Sequence, residues 1–150
     1  MTCRCIERNH GTLDKFIGDA TMAFWGAPLP EKDPAYLAAR AAMEMMREAD
    51  ILSQKLQQQE LQIGIGLNFG SAVVGNMGFE RRMDYTVIGD TVNMASRLEG
   101  IARPGCIYVS RNLVEAIEKG GHKVRYHSLG LQSMRGKEEL FEVLELVSLE

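Results

Sequence analysis

Several large classes of protein are excluded by what this 150-residue chain has little of. It contains three cysteines and three histidines. Cys3-x-Cys5 has no second pair and no histidine cluster beside it, so zinc-ligand spacing is absent, and Cys106 makes the count odd. Free thiols in a reducing cytosol follow. His10, His122 and His127 are scattered and read as surface or turn residues. The formal charge of −3 leaves no cationic excess to attract nucleic acid or an anionic membrane. No apolar run approaches the roughly 20 residues of a bilayer span. The opening Met1-Thr-Cys-Arg-Cys is polar and lacks the apolar core of a secretory signal. Gly64-x-Gly66 is not followed by a third glycine and a helix, which excludes a dinucleotide fingerprint. There is no internal repeat and no linker. What remains is one soluble, cytoplasmic domain, residues 1–150, whose composition of 45% apolar and 25% charged residues is that of an ordinary globular protein.

Taken in order, residues 1–9 read as the last turns of a helix, ended by His10-Gly11. Thr12–Ile17 and Ala20–Gly26 flank Gly18-Asp19 and predict a β-hairpin with a tight turn. Asp33 and Pro34 open a long helix reaching about Gln59, with Ala38, Ala41, Ala42, Met45, Ala49, Leu52 and Leu56 as its buried stripe. Leu61, Ile63, Ile65 and Leu67 alternate with polar or small residues as a half-buried strand. Ala72–Gly75 predicts another strand, and Gly75 to Arg82 a loop. Past Ala102, Arg103-Pro-Gly105 is a stop, Cys106–Val109 a short strand, and Ser110–Lys119 a Ser-capped helix. Strands near 123–129 and 140–146 flank a turn at Met134–Lys137. Helices interleaved with hairpins predict an α+β fold.

The most informative stretch is Tyr85-Thr-Val-Ile-Gly-Asp-Thr-Val-Asn93-Met-Ala-Ser-Arg97. It reads as strand, turn and helix, with Val92, Ala95, Leu98, Ile101 and Ala102 at helical spacing. Asn93 and Arg97 lie one turn apart on the opposite face. An amide beside a planar, fixed cation suits phosphate oxygens, although exposed Asn and Arg on helices are also common without a ligand. A second stretch, Lys15-Phe-Ile-Gly-Asp19-Ala-Thr-Met-Ala-Phe-Trp-Gly, places a carboxylate at a hairpin turn.

Together the two stretches resemble the signature motifs of the class III nucleotidyl cyclases, the adenylate and guanylate cyclase catalytic domains, and the likeness runs from His10 to the end. It implies a ferredoxin-like βαββαβ core. It implies that Asp19 is a metal ligand, that Lys15 and Thr86 read the purine, and that Asn93 and Arg97 are catalytic, orienting the ribose and stabilising charge on the α-phosphate. Arg81, or its neighbour Arg82, and Lys137 lie where the family keeps further phosphate cations. Lys15 can donate to N1 of adenine, whereas N1 of guanine carries a proton. The pair therefore favours ATP, with cyclic AMP and pyrophosphate as products. Phe69 departs from the small polar residue usual at its turn.

The family's opening strand, Phe-x-Asp-Ile-x-Gly-Phe-Thr, which carries the other metal-binding Asp, has no counterpart before His10. The resemblance thus implies a chain lacking the first strand and most of the first helices, with a two-metal Mg²⁺ or Mn²⁺ site left incomplete. Asp14 and Asp84 receive no metal role from it. It also implies a head-to-tail homodimer, here rearranged or strand-exchanged, and regulatory domains in the full-length protein. Two alternatives stand beside an adenylate cyclase: a catalytically silent nucleotide-binding or dimerisation module of cyclase ancestry, and a guanylate cyclase. A diguanylate cyclase is excluded by the lack of its Gly-Gly-Asp/Glu-Glu-Phe hairpin.

Overall fold

The structure is a computed structural model and describes residues 1–56, 62–79, 82–134 and 137–150. A short helix α1 (Thr2–Arg8) leads into the hairpin β1 (Thr12–Ile17) and β2 (Ala20–Phe24), then the long helix α2 (Pro34–Leu56). β3 (Ile65–Leu67), β4 (Val73–Phe79) and β5 (Arg82–Ile88) precede helix α3 (Asp90–Ile101). β6 (Ile107–Val109), helix α4 (Arg111–Lys119), β7 (Val124–Met134) and β8 (Lys137–Leu149) complete the chain.

The largest sheet has the order β3-β6-β8-β7, with β3 parallel to β6 and the other pairs antiparallel. Side-chain alternation sends β6 to both faces. Ile107 and Val109 join Leu144 and Leu146 of β8 beneath Ala35, Ala39 and Ala42 of α2 and Leu113, Val114 and Ile117 of α4. Tyr108 and Val143 point the other way, to Leu98 of α3. The whole of β6 is therefore buried, as expected of a strand covered on both sides.

Small residues let α2 serve two neighbours. Ala41 and Met45 pack on Cys5 and Ile6 of α1, with Trp25 and Ile63 at the edge of the cluster. Buried Asn9 ties these parts together. Its amide donates to the Cys5 carbonyl at 2.7 Å, its side-chain oxygen accepts from Arg40 Nε at 2.5 Å, and its backbone carbonyl accepts from Trp25 Nε1 at 2.8 Å. The alanine-rich stripe runs through Ala49, but Leu52 and Leu56 are 37% and 53% exposed, because no described element reaches the end of α2 far enough to cover them. Gln57–Gln59 lie outside the described residues.

Three expectations are corrected. The segment from Gly75 to Phe79 is a strand, paired residue for residue from Val73↔Ile88 to Phe79↔Arg82, so β4 and β5 make one long hairpin. Its glycines were misleading: Gly75 and Gly78 sit opposite Thr86 and Met83 and keep the ladder. β7 and β8 extend well beyond 123–129 and 140–146, because an irregularity between Ser128 and Leu131 absorbs Gly130 and two others shift the register without ending the pairing. Of the strand predicted from Leu61, Ile65–Leu67 are strand and residues 62–64 are not, while Leu61 lies outside the described residues.

The pairs β1-β2 and β4-β5 are separate two-stranded ladders. No described strand joins β2 to β3. Among the described residues no helix is long and apolar enough to cross a membrane.

Candidate active site

The hairpin β1-β2 turns through Gly18 and Asp19, since Ile17 pairs with Ala20. Gly18 has φ 62° and Asp19 does not take a positive φ, the pattern of a turn that needs glycine at its first central position. Asp19 is thereby presented to solvent at the hairpin tip.

Within β1 the ladder skips one residue: Leu13 pairs with Ala23 and Lys15 with Met22. Asp14 is the extra residue of this bulge. Its side chain is turned inward, 1% exposed, with Oδ1 3.7 Å from Lys15 Nζ. Its Oδ2 accepts from the Thr86 hydroxyl at 2.7 Å and from the Val87 backbone N–H at 3.4 Å. Lys15 and Thr86 are thus gathered on the two oxygens of one carboxylate, with Thr86 buried and Lys15 half exposed. The rings of Phe24 and Tyr85, centroids 6.0 Å apart, form a second contact between the hairpins. Sequence reasoning gave Asp14 no role. The available signal was an acid directly before Lys15; the bulge that aims it is not written in any residue pattern.

Helix α3 starts after Gly89, whose φ of 134° reverses the chain out of β5. The side chain of Asn68 donates to the Thr91 carbonyl at 3.0 Å and accepts from the Ser110 hydroxyl at 2.6 Å. Ser110 in turn caps α4 by accepting from Leu113 N at 3.2 Å. The start of α3 is also held by Thr91, whose hydroxyl donates to the Ser71 carbonyl at 2.6 Å. α3 lies directly on β3. A Cβ on Gly66 would meet the Glu99 backbone nitrogen and come within 2.5 Å of the Ala95 carbonyl oxygen, and one on Gly64 would come within 3.0 Å of the Ala102 carbonyl oxygen. The Gly64-x-Gly66 pair therefore serves helix-on-strand packing.

That packing buries Leu98 and leaves Asn93 exposed and Arg97 half-buried on the free side of α3. Among the described residues neither the Asn93 amide nor the Arg97 guanidinium has a hydrogen-bond or ion-pair partner. Without a partner among the described residues and anchored on a helix, they are placed to accept a ligand. Arg81 lies outside the described residues. Lys137 is the first residue of β8, where its backbone pairs with Met134, and its side chain is outside the described ones.

Comparison with known proteins decides the family. Residues 4–144 match the model of the adenylate and guanylate cyclase catalytic domain. The chain belongs to this family. Adenylate cyclase 1 of Rhizobium meliloti is 31% identical over 146 residues, covering 95% of this chain and 22% of the relative. The terminal-differentiation-specific adenylate cyclase of Dictyostelium discoideum is 33% identical over 148 residues, 95% of this chain and 7% of its own length. This cyclase domain thus spans less than a quarter of either relative. The crystal structure of the adenylyl cyclase CyaB from P. aeruginosa superposes with TM-score 0.85 at 29% identity, covering 98% of this chain and 76% of the other. That of the guanylyl cyclase Cya2 superposes with TM-score 0.85 at 30% identity, covering 99% and 76%. The fold is the α+β, ferredoxin-like cyclase core, and the family is that of the class III cyclases, which are lyases.

Cyclase domains generally use Mg²⁺ or Mn²⁺. A two-metal site needs several oxygen donors converging on the ions. Among the described residues no group of three or more His, Cys, Asp or Glu side chains could hold a metal ion. Asp19 alone does not make such a site, and no chemical step is derived through one.

Proposed function

We propose that this chain is the catalytic domain of an adenylate cyclase, forming 3′,5′-cyclic AMP and pyrophosphate from ATP. The observation that supports this reading is the convergence of Lys15 and Thr86 on Asp14, from strands 72 residues apart in sequence. A lysine ammonium only donates, so it matches the bare N1 of adenine and opposes the protonated N1 of guanine. Named adenylate cyclases and a guanylyl cyclase structure are both similar to this chain, and the substrate choice rests on these side chains.

In this reading Arg97 meets the charge that develops on the α-phosphate as the ribose 3′-oxygen attacks and pyrophosphate leaves. Asn93, one turn away, orients the ribose. Both act as preorganised donors, the kind of group worth most in the transition state. Arg81 and Lys137 neutralise the remaining phosphates, and Asp19 contributes one carboxylate to the metals. Because Asp19 and the Asn93/Arg97 pair are supplied by opposite subunits in the family, a head-to-tail homodimer follows. Regulatory domains in a longer cytoplasmic protein fit a domain that covers so little of its relatives.

One observation favours the second reading, a silent nucleotide-binding or dimerisation module: the described residues offer no metal-binding cluster. Two measurements on the purified chain separate them. Titration with ATP and GTP in Mn²⁺ should show tighter ATP binding that shifts toward GTP in Lys15→Glu/Thr86→Cys. Equal affinities, or a ratio the double variant leaves unchanged, remove both residues from the base pocket. Cyclic AMP assays on the chain, alone and mixed with a subunit carrying the family's full set of metal ligands, should show turnover at least in the mixture. ATP binding with no turnover in such a dimer establishes the silent module.

A further inference from the structure

We propose that Asp14 is a positioning residue for base selection: it accepts the hydrogen bond that the Thr86 hydroxyl donates and so leaves that hydroxyl an obligate acceptor for the exocyclic amino group of adenine. The inference rests on the reading of Lys15 and Thr86 as the base-reading pair and explains how a threonine can select anything.

A hydroxyl carries one donor and two lone pairs and rotates to suit its partner. Left free, Thr86 could accept from the 6-amino group of adenine or donate to the 6-oxo group of guanine, with little discrimination between them. In this chain it is not free. Its hydroxyl is 2.7 Å from Asp14 Oδ2, an acceptor in a carboxylate, so the proton lies on that line and only lone pairs face elsewhere. The Val87 backbone N–H, 3.4 Å from the same oxygen, holds the carboxylate from the other side. The Asp14 side chain is 1% exposed and Thr86 6%, so water has little access to this bond. Across the ladder from Thr86 stands Gly75, with open space where a Cβ would be, leaving that approach clear for a planar ring.

The other oxygen, Oδ1, sits 3.7 Å from Lys15 Nζ. Asp14 thus touches both readers: it holds Thr86 as an acceptor for the 6-position and lies beside Lys15, whose ammonium is a donor for N1 in any case. The bulge in β1 is what makes this possible. With regular alternation Asp14 would face away from Lys15, and the skipped pairing turns its carboxylate toward β5.

The test is the ratio of dissociation constants for GTP and ATP, measured by titration of the 150-residue chain in Mn²⁺, for wild type, Thr86→Ala, Asp14→Leu and Asp14→Asn. Purine riboside triphosphate, which has hydrogen in place of the 6-amino group, is the third ligand. Asp14→Leu should lower the GTP/ATP ratio about ten-fold, as Thr86→Ala does, and erase the advantage of ATP over purine riboside triphosphate. Asp14→Asn should keep most of the selectivity, because its amide oxygen still accepts from Thr86. Asp14→Ala repeats the measurement should the leucine variant melt below the assay temperature. If Thr86→Ala lowers the ratio while Asp14→Leu and Asp14→Ala weaken all three nucleotides alike, Asp14 is only a structural tie and the proposal is overturned with the base pocket intact. If Thr86→Ala leaves the ratio unchanged, the base-pocket reading fails and takes this inference with it.

Discussion

Gly66 of β3 lies so close under helix α3 that a methyl group on it would come within 2.5 Å of the Ala95 carbonyl oxygen. Two residues before Arg97, that carbonyl belongs to the turn that carries Asn93 and Arg97. Gly66→Ala must therefore push α3 off the sheet, and is expected to cost about 1–3 kcal/mol of unfolding free energy. Gly100, on the same helix, has open space around its missing Cβ. Gly100→Ala should stabilise by about 0.5–1 kcal/mol through helix propensity. Urea melts of the two variants check both signs.

Arg97 has no partner among the described residues, so its removal should leave stability nearly untouched. In a dimer that turns over, Arg97→Ala is expected to lower kcat by about 10²–10³-fold with little change in KM. A raised KM at constant kcat assigns the guanidinium to ground-state binding. A lowered Tm instead shows that it packs.

Glu142 is gripped by Arg111, with Nε and Nη2 at 3.1 and 2.5 Å from its two oxygens, while Arg111 Nη1 donates to the Tyr126 hydroxyl at 2.9 Å. The hydrogen bonds from Arg111 hold the Glu142 carboxyl below its ordinary value of 4.5, and the guanidinium is held correspondingly higher. A depressed carboxylate favours the fold above its unfolded pKa, and that contribution disappears as pH falls through the folded value. Stability of wild type should therefore slope downward below about pH 4.5, and Glu142→Gln should flatten that slope while leaving a constant deficit near neutrality. Both partners are partly exposed, so salt should reduce the difference. Denaturant midpoints from pH 3 to pH 7, in roughly 0.05 and 0.5 M salt, read the effect.

The three thiols should react in a fixed order with a disulfide reagent at mildly alkaline pH. Burial pushes Cys5 upward against the opposing influence of Arg8, and it has no exposed surface. Burial also raises Cys106, assisted by Glu145, though that side chain is partly accessible. Cys3 should be modified first, Cys106 next, and Cys5 only as the protein unfolds. Mass spectrometry of time points gives the order directly.

Much of this molecule was legible residue by residue. The Gly18-Asp19 turn, the Pro34 helix start and the Ser110 cap are local chemistry, and each falls where its residues place it. Asn93 and Arg97 share a helix face by spacing alone. Features that depend on distant partners were not legible. The Gly75–Phe79 strand looks like a loop until β5 supplies its ladder, and the exposure of Leu52 and Leu56 depends on what lies beyond the helix end. Asp14 is the sharpest case. Its environment depends on a register shift and on a hydroxyl 72 positions away, neither of which leaves a trace in the neighbouring residues.

Lys15, Asp14 and Thr86 all sit on two-stranded ladders that, among the described residues, are not part of the four-stranded sheet. Isolated hairpins are marginal in water, so their amide protons should trade with solvent through small, local openings while those of β6 and β8 wait for global unfolding. A nucleotide whose base bridges Lys15 and Thr86 would stitch the two hairpins to each other. Its arrival should slow exchange in β1 and β5 together, at equal strength, and leave the central strands as they were. The least cooperative part of the chain would then be the part that registers whether the right purine has arrived.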